Sequence, residues 1–131
     1  KVRGFVHQLE SAVGIFIDGG FTKIDHASIV ISGDSDMFLL KYAQRFMNGH
    51  KDNRVTFVVR ESDKAANDAM RSFIEQYRGG KMFLIGEFSE DKWEHFKQFD
   101  IVIVSFDFWK ILKREQRSWL DKMPSVLILN K

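Results

Sequence analysis

Two stretches decide the fold: Phe99-Asp100-Ile101-Val102-Ile103-Val104-Ser105 and, one helical segment later, Ser125-Val126-Leu127-Ile128-Leu129-Asn130. Each is a run of Ile, Val and Leu with no polar alternation. A half-exposed strand alternates, whereas a strand covered on both faces reads as continuous hydrophobe, the pattern of a parallel sheet with helices on either side. Between the two runs Trp109–Lys122 has helical spacing, and Pro124 closes the loop after it. Strand, helix and strand in this order form a crossover unit with its strands parallel.

The same alternation extends toward the amino end. Ala12–Ile17 is an apolar run. Ser28–Ser32 is β-branched and continuous, and Met37–Met47 sets Phe38, Leu39, Tyr42, Ala43 and Phe46 at helical spacing. Val55–Val59 reads as a strand. Lys64–Tyr77 reads as a helix with Ala65, Ala69, Phe73 and Ile74 on one face, capped by Ser62 or Asp63 and ended by Gly79-Gly80. Met82–Ile85 is a further strand, and Glu90–Phe99 a short helix behind Ser89. The expectation is one three-layer α/β domain over residues 1–131, a mostly parallel sheet flanked by helices. The opening Lys1-Val2-Arg3-Gly4 and the apolar strand just before Lys131 read as the edges of a piece of a longer chain.

Composition narrows the function classes. With no cysteine, a disulfide scaffold and a thiolate metal site are excluded, and a reducing, intracellular setting fits. No apolar run reaches membrane-spanning length. A net charge of +2 permits a nucleic-acid surface without demanding one. Thirteen Phe and three Trp point to a well-filled core; Trp93, Trp109 and Trp119 sit at helical positions suited to packing. The four His, at 7, 26, 50 and 95, have no metal-ligand spacing.

Ligands of open parallel sheets bind at the carboxyl ends of the strands, so residues just past each apolar run are the ones to inspect. Ile17-Asp18-Gly19 and Ser32-Gly33-Asp34-Ser35-Asp36 each set carboxylates there. Converging, Asp18, Asp34 and Asp36 could hold Mg²⁺ or Mn²⁺ and activate water on a phosphodiester. The structural alternative has Asp34 or Ser35 capping the next helix and Asp18 in a turn. These motifs resemble those of the NYN/PIN-type nucleases, over about the first half of the chain, but the segment between Asp18 and Asp34 is too short for the acidic helix that those enzymes carry. That resemblance implies a metal-dependent ribonuclease whose three Asp share one cleft.

Gly19-Gly20-Phe21-Thr22-Lys23 has the residue types of a phosphate-binding loop without its spacing, since adjacent Gly-Lys-Ser/Thr opening a helix is missing. A glycine turn is the alternative. Lys110, Lys113, Arg114 and Arg117 form a basic run on one helix, able to meet phosphates or simply to face solvent.

Taken in order, the motifs resemble the first RecA-like lobe of the SWI/SNF-type chromatin-remodelling ATPases. His7-Gln8-Leu9-Glu10 is similar to the signature that begins that lobe, Ile29-Val30-Ile31-Ser32 to the strand before its DNA-contacting loop, Leu39-Leu40-Lys41-Tyr42 to the helix after it, and Met82–Phe88 to the strand and loop before the next strand. Asp100–Phe106 is similar to the family's "D-I-V-I-x-S-Y" strand. The resemblance covers nearly the whole chain and implies RecA-like, P-loop-type topology. It implies a nucleotide site at Gln8, Gly19, Gly20, Thr22, Lys23, Asn130 and Lys131, and nucleic-acid contacts at Ser32, Ser105, Lys110, Lys113, Arg114 and Arg117.

The departures fall together at the ATP site. Where the family ends the last strand in Asp-Glu, this chain has Asn130-Lys131, and an ammonium there repels a metal. The loop lacks Gly-Lys-Thr, and too few residues separate Thr22 from Ser28 for the helix that should follow. The expectation is a catalytically inactive lobe that needs no cofactor. Its partners would be chromatin proteins or DNA in the nucleus, together with a second lobe of the same chain. On this reading Gly19–Lys23 faces Asn130 across adjacent strand ends.

Overall fold

The computed structural model describes residues 14–17, 25–60, 62, 64–76, 80–85, 96, 98–115 and 125–130. Among these residues six strands are formed: β1 (Gly14–Ile17), β2 (His26–Ile31), β3 (Arg54–Arg60), β4 (Gly80–Ile85), β5 (Ile101–Ser105) and β6 (Ser125–Leu129). A 3-10 turn (Asp34–Leu39) leads into α1 (Leu40–Gly49); α2 (Lys64–Glu75) and α3 (Phe106–Glu115) follow. The sheet order is β1-β6-β5-β2-β3-β4. Strands β2 to β6 run parallel, and β1 lies antiparallel on β6, Gly14 opposite Leu129 and Ile17 opposite Val126.

The continuous apolar runs behave as their composition requires. Every residue of β5 and of β6 is buried. Alternate residues feed two cores. On one face Ile29, Ile31, Val55, Phe57, Ile101, Ile103 and Leu127 meet Leu39, Tyr42, Ala43, Phe46, Ala66 and Met70 from the turn, α1 and α2. On the other, Val30, Val58, Val102, Val104, Val126 and Ile128 meet Phe96, Phe99, Phe108 and Leu112. The chain steps outward from β2 to β3 and β4 beneath α1 and α2, and from β5 to β6 beneath α3. Opposite directions of travel put the helices on opposite faces when every crossover has the same hand.

Several boundaries differ from the sequence reading for local reasons. Strand β4 begins at Gly80, which pairs with Val55 rather than ending a helix. The buried face of α2 carries Ala66, Asn67 and Met70, with Phe73 and Ile74 half-buried, whereas Ala65 and Ala69 are exposed. Alanine buries too little area to orient a helix; the larger Met70, at 0% exposure, does. Helix α3 begins at Phe106, three residues before Trp109, because the Ser105 hydroxyl accepts a hydrogen bond from Phe108 N at 3.1 Å and caps it. Of the helix expected over Glu90–Phe99 only Phe96, Gln98 and Phe99 are described, Phe96 and Phe99 buried; the rest of it, and residues 116–122 of the helix expected over Trp109–Lys122, lie outside the described residues.

Candidate functional site

The carboxyl ends of β2, β5 and β6 lie side by side, and β3 and β4 follow on the far flank of β2. Between β2 and β5 the strand order reverses, which is where open α/β sheets bind ligands. Ser32-Gly33-Asp34-Ser35-Asp36 leaves β2 at this switch point. Ser105 ends β5 and Asn130 follows β6, so three positions singled out by sequence share one edge.

The acidic motif folds back on itself. Asp36 is 1% exposed, and its Oδ2 accepts hydrogen bonds from Ser32 N at 2.8 Å and Ser32 Oγ at 2.5 Å. Its Oδ1 is buried with no hydrogen-bond partner among the described residues. The 3-10 turn containing it packs on both β2 and β5, with Leu39 fully buried beneath. The N-cap positions of this turn and of α1 are Gly33 and Leu39, neither with a side-chain cap, so Ser35 stands inside the turn rather than at its cap; the Asp34 side chain lies outside the described atoms. Gly33 is extended at φ 171°, and a Cβ there would meet nothing within 4 Å, so that corner of the edge is open.

Neither of the two expected convergences is supported by the strand directions. Asp18 and Gly19–Lys23 lie outside the described residues, as do Gln8, Arg117 and Lys131. The strand that leads to Asp18 ends at Ile17 beside Val126, near the amino end of β6. Asp34, Asp36 and Asn130 stand at the opposite, carboxyl edge. A short apolar run such as Ala12–Ile17, equally readable as a strand or as the end of a helix from His7, carries no signal of strand direction. Among the described residues no group of three or more His, Asp or Glu could hold a metal.

The candidate nucleic-acid residues divide into two kinds. Ser32 and Ser105 direct their hydroxyls inward, to Asp36 and to the start of α3. Lys110, Lys113 and Arg114 are exposed along α3. Lys110 is engaged twice, 3.6 Å from Asp107 and 4.9 Å above the Phe106 ring. Trp109 packs against the core beneath α3.

At the amino edge a second polar cluster went unnoticed in the sequence. Asp100 Oδ2 accepts from Asp25 N and His26 N, each at 3.1 Å, while Asp100 N donates to His26 O. His26 Nε2 and Thr56 Oγ1 are hydrogen-bonded at 3.0 Å, and the imidazole meets Phe99 edge-on. Burial lowers the His26 pKa from its ordinary value; the Asp100 carboxylate pulls the other way, and Lys81 adds to the lowering. The signal was an Asp opening an apolar strand, which read only as the strand's first residue. The cluster ties the entries of β2, β3 and β5 together.

No protein-family model, curated protein or solved structure matches this chain.

Proposed function

We propose that the chain is a RecA-like lobe of SWI/SNF type that has lost ATP chemistry and serves as a chromatin- or DNA-associated interaction module, with a nuclear role and a second lobe as its partner. The observation that carries this reading is the β5–α3–β6 unit beside β2. Its two strands run parallel and adjacent, and the second delivers Asn130 to the edge where that family needs a carboxylate pair. An amide supplies neither the negative charge that holds Mg²⁺ nor a base for water. The antiparallel β1 counts against the RecA-like arrangement, because a loop following Ile17 would leave the sheet at the edge away from Asn130. The inward-turned Asp36 supports the loss of ATP chemistry, since one carboxylate oxygen is already committed to Ser32.

The test is a titration with a fluorescent ATP analogue and Mg²⁺, followed by binding to reconstituted nucleosomes. No nucleotide binding below millimolar concentration, with nucleosome binding retained, is the expected result. Micromolar nucleotide affinity would overturn the inactive reading. Mg²⁺- or Mn²⁺-dependent cleavage of single-stranded RNA, abolished by Asp34→Asn, would establish the metal-dependent NYN/PIN-type nuclease instead.

A further inference from the structure

Helix α1 carries a charge pattern that neither resemblance calls for. Tyr42, Ala43, Phe46 and Met47 are buried on the sheet. The opposite stripe, at i, i+3, i+4 and i+7, consists of Lys41, Gln44, Arg45 and Asn48, all exposed. Two cations and two amides line it, and the helix contains no acidic residue. Like charges four residues apart weaken a helix. Here both stand over one ring, Lys41 Nζ at 5.2 Å and Arg45 Cζ at 5.6 Å from the Tyr42 centroid. Among the described residues neither has a carboxylate partner. The α3 face differs, with Asp107 holding Lys110 and with Phe106 and Ile111 partly exposed.

We propose that this stripe docks on the phosphodiester backbone of duplex DNA, Lys41 and Arg45 each neutralising one phosphate and Gln44 and Asn48 donating amide N–H groups to neighbouring oxygens. The inference rests on the DNA-associated reading above and names the surface that serves it. Charge complementarity selects the occupant. A protein partner is anchored by aromatic or aliphatic side chains, and the stripe has none. A single strand is held by stacking on exposed aromatics, whereas Tyr42 is 5% exposed. The helix lies flat on the sheet and shows one stripe only, so backbone contact without sequence preference is what the shape allows.

The experiment follows anisotropy of a labelled 20-base-pair duplex with the full chain across salt concentrations. Each neutralised phosphate contributes about 0.9 to the log–log salt slope. Lys41→Ala with Arg45→Ala should flatten the slope by about 1.8, equally on unrelated sequences. Gln44→Ala with Asn48→Ala should weaken binding several-fold with the slope kept. Lys64→Ala with Arg71→Ala, an exposed pair of the same charge on α2, should leave the slope near wild type. All these side chains are exposed, so thermal midpoints should stay at the wild-type value and a lost fold would be seen directly. An unchanged slope in the Lys41/Arg45 variant, tighter binding of a single strand, displacement by poly-glutamate at equal charge, or no duplex binding by the wild type would each overturn the proposal. Nucleotide binding is read separately, so a revived ATP site would refute the inactive reading while leaving this result interpretable.

Discussion

Replacing Asp36 by Ala tests whether the acidic motif is built for structure or for metal. The side chain is 1% exposed and holds two Ser32 donors through one oxygen. Hydrogen bonds to a charged acceptor contribute about 1.5–3 kcal/mol each. Two factors reduce the sum. Ser32 is half-buried, so water can reach its freed amide and hydroxyl. The substitution also removes Oδ1, buried and without a partner among the described residues, which costs about 1–3 kcal/mol in the native state. The net loss should be about 2 kcal/mol. For a chain of 131 residues, unfolding entropy near 2.1 cal/mol/K per residue gives roughly 0.28 kcal/mol/K, so the thermal midpoint should fall by about 7 °C. With a urea slope of about 2 kcal/mol/M the denaturation midpoint should fall by about 1 M. Calorimetry and urea titration, each with and without 5 mM Mg²⁺ or Mn²⁺, read the effect. A midpoint within 1 °C of wild type would refute the structural role. So would a wild-type midpoint that rises with metal while the variant's does not, because Oδ1 would then be a ligand atom.

Two further substitutions report on the interior. His26 has a lowered pKa, so the unfolded chain binds its proton first as pH drops. Its contribution is intact above the ordinary histidine value of about 6.5 and fades as pH falls from there toward the folded value. His26→Gln should therefore show a shallower loss of thermal midpoint between pH 7.5 and 5 than wild type, and parallel curves would contradict this. Ser28 is 0% exposed on β2, and its hydroxyl has no partner among the described residues. Ser28→Ala should stabilise the chain by about 1 kcal/mol, read as a midpoint rise of roughly 3–4 °C; a fall would mean that the hydroxyl is satisfied.

What the sequence disclosed, and what it withheld, follows from the range of the forces involved. Ile101–Ser105, Val55–Val59 and Ser125–Leu129 announced themselves because double-faced burial leaves a purely local signature, an apolar run without alternation. Their parallel direction followed from helices of crossover length between them. Only eight residues separate the short β1 from β2, too few for a crossover helix, and its partner lies more than a hundred residues away, so its antiparallel pairing was not legible. The face of α2 was misjudged because Ala65 and Ala69 were weighed as if they were large. At the candidate site, sequence singled out Ser32, Asp36, Ser105 and Asn130, and the fold sets them along one edge. Sequence did not find that Asp36 bends back to Ser32, because the 3-10 turn that allows this competes closely with a regular helix start. Asp100 was passed over because a carboxylate accepting two backbone amides 74 and 75 positions earlier in the chain leaves no mark on its neighbours.

The pairing of β1 with β6 also sets an order of events during synthesis. As the chain leaves the ribosome, β2, β3 and β4 can join through α1 and α2 while β6 has not yet been made. Gly14–Ile17, among the first described residues to emerge, must wait for Ser125–Leu129, the last strand. A strand that waits unpaired is an open template for other chains, and closing so long a loop is slow. Rearranging the gene so that β6 directly precedes β1 would turn the most distant contact in the sheet into a local hairpin, and the yield of folded protein should rise with it.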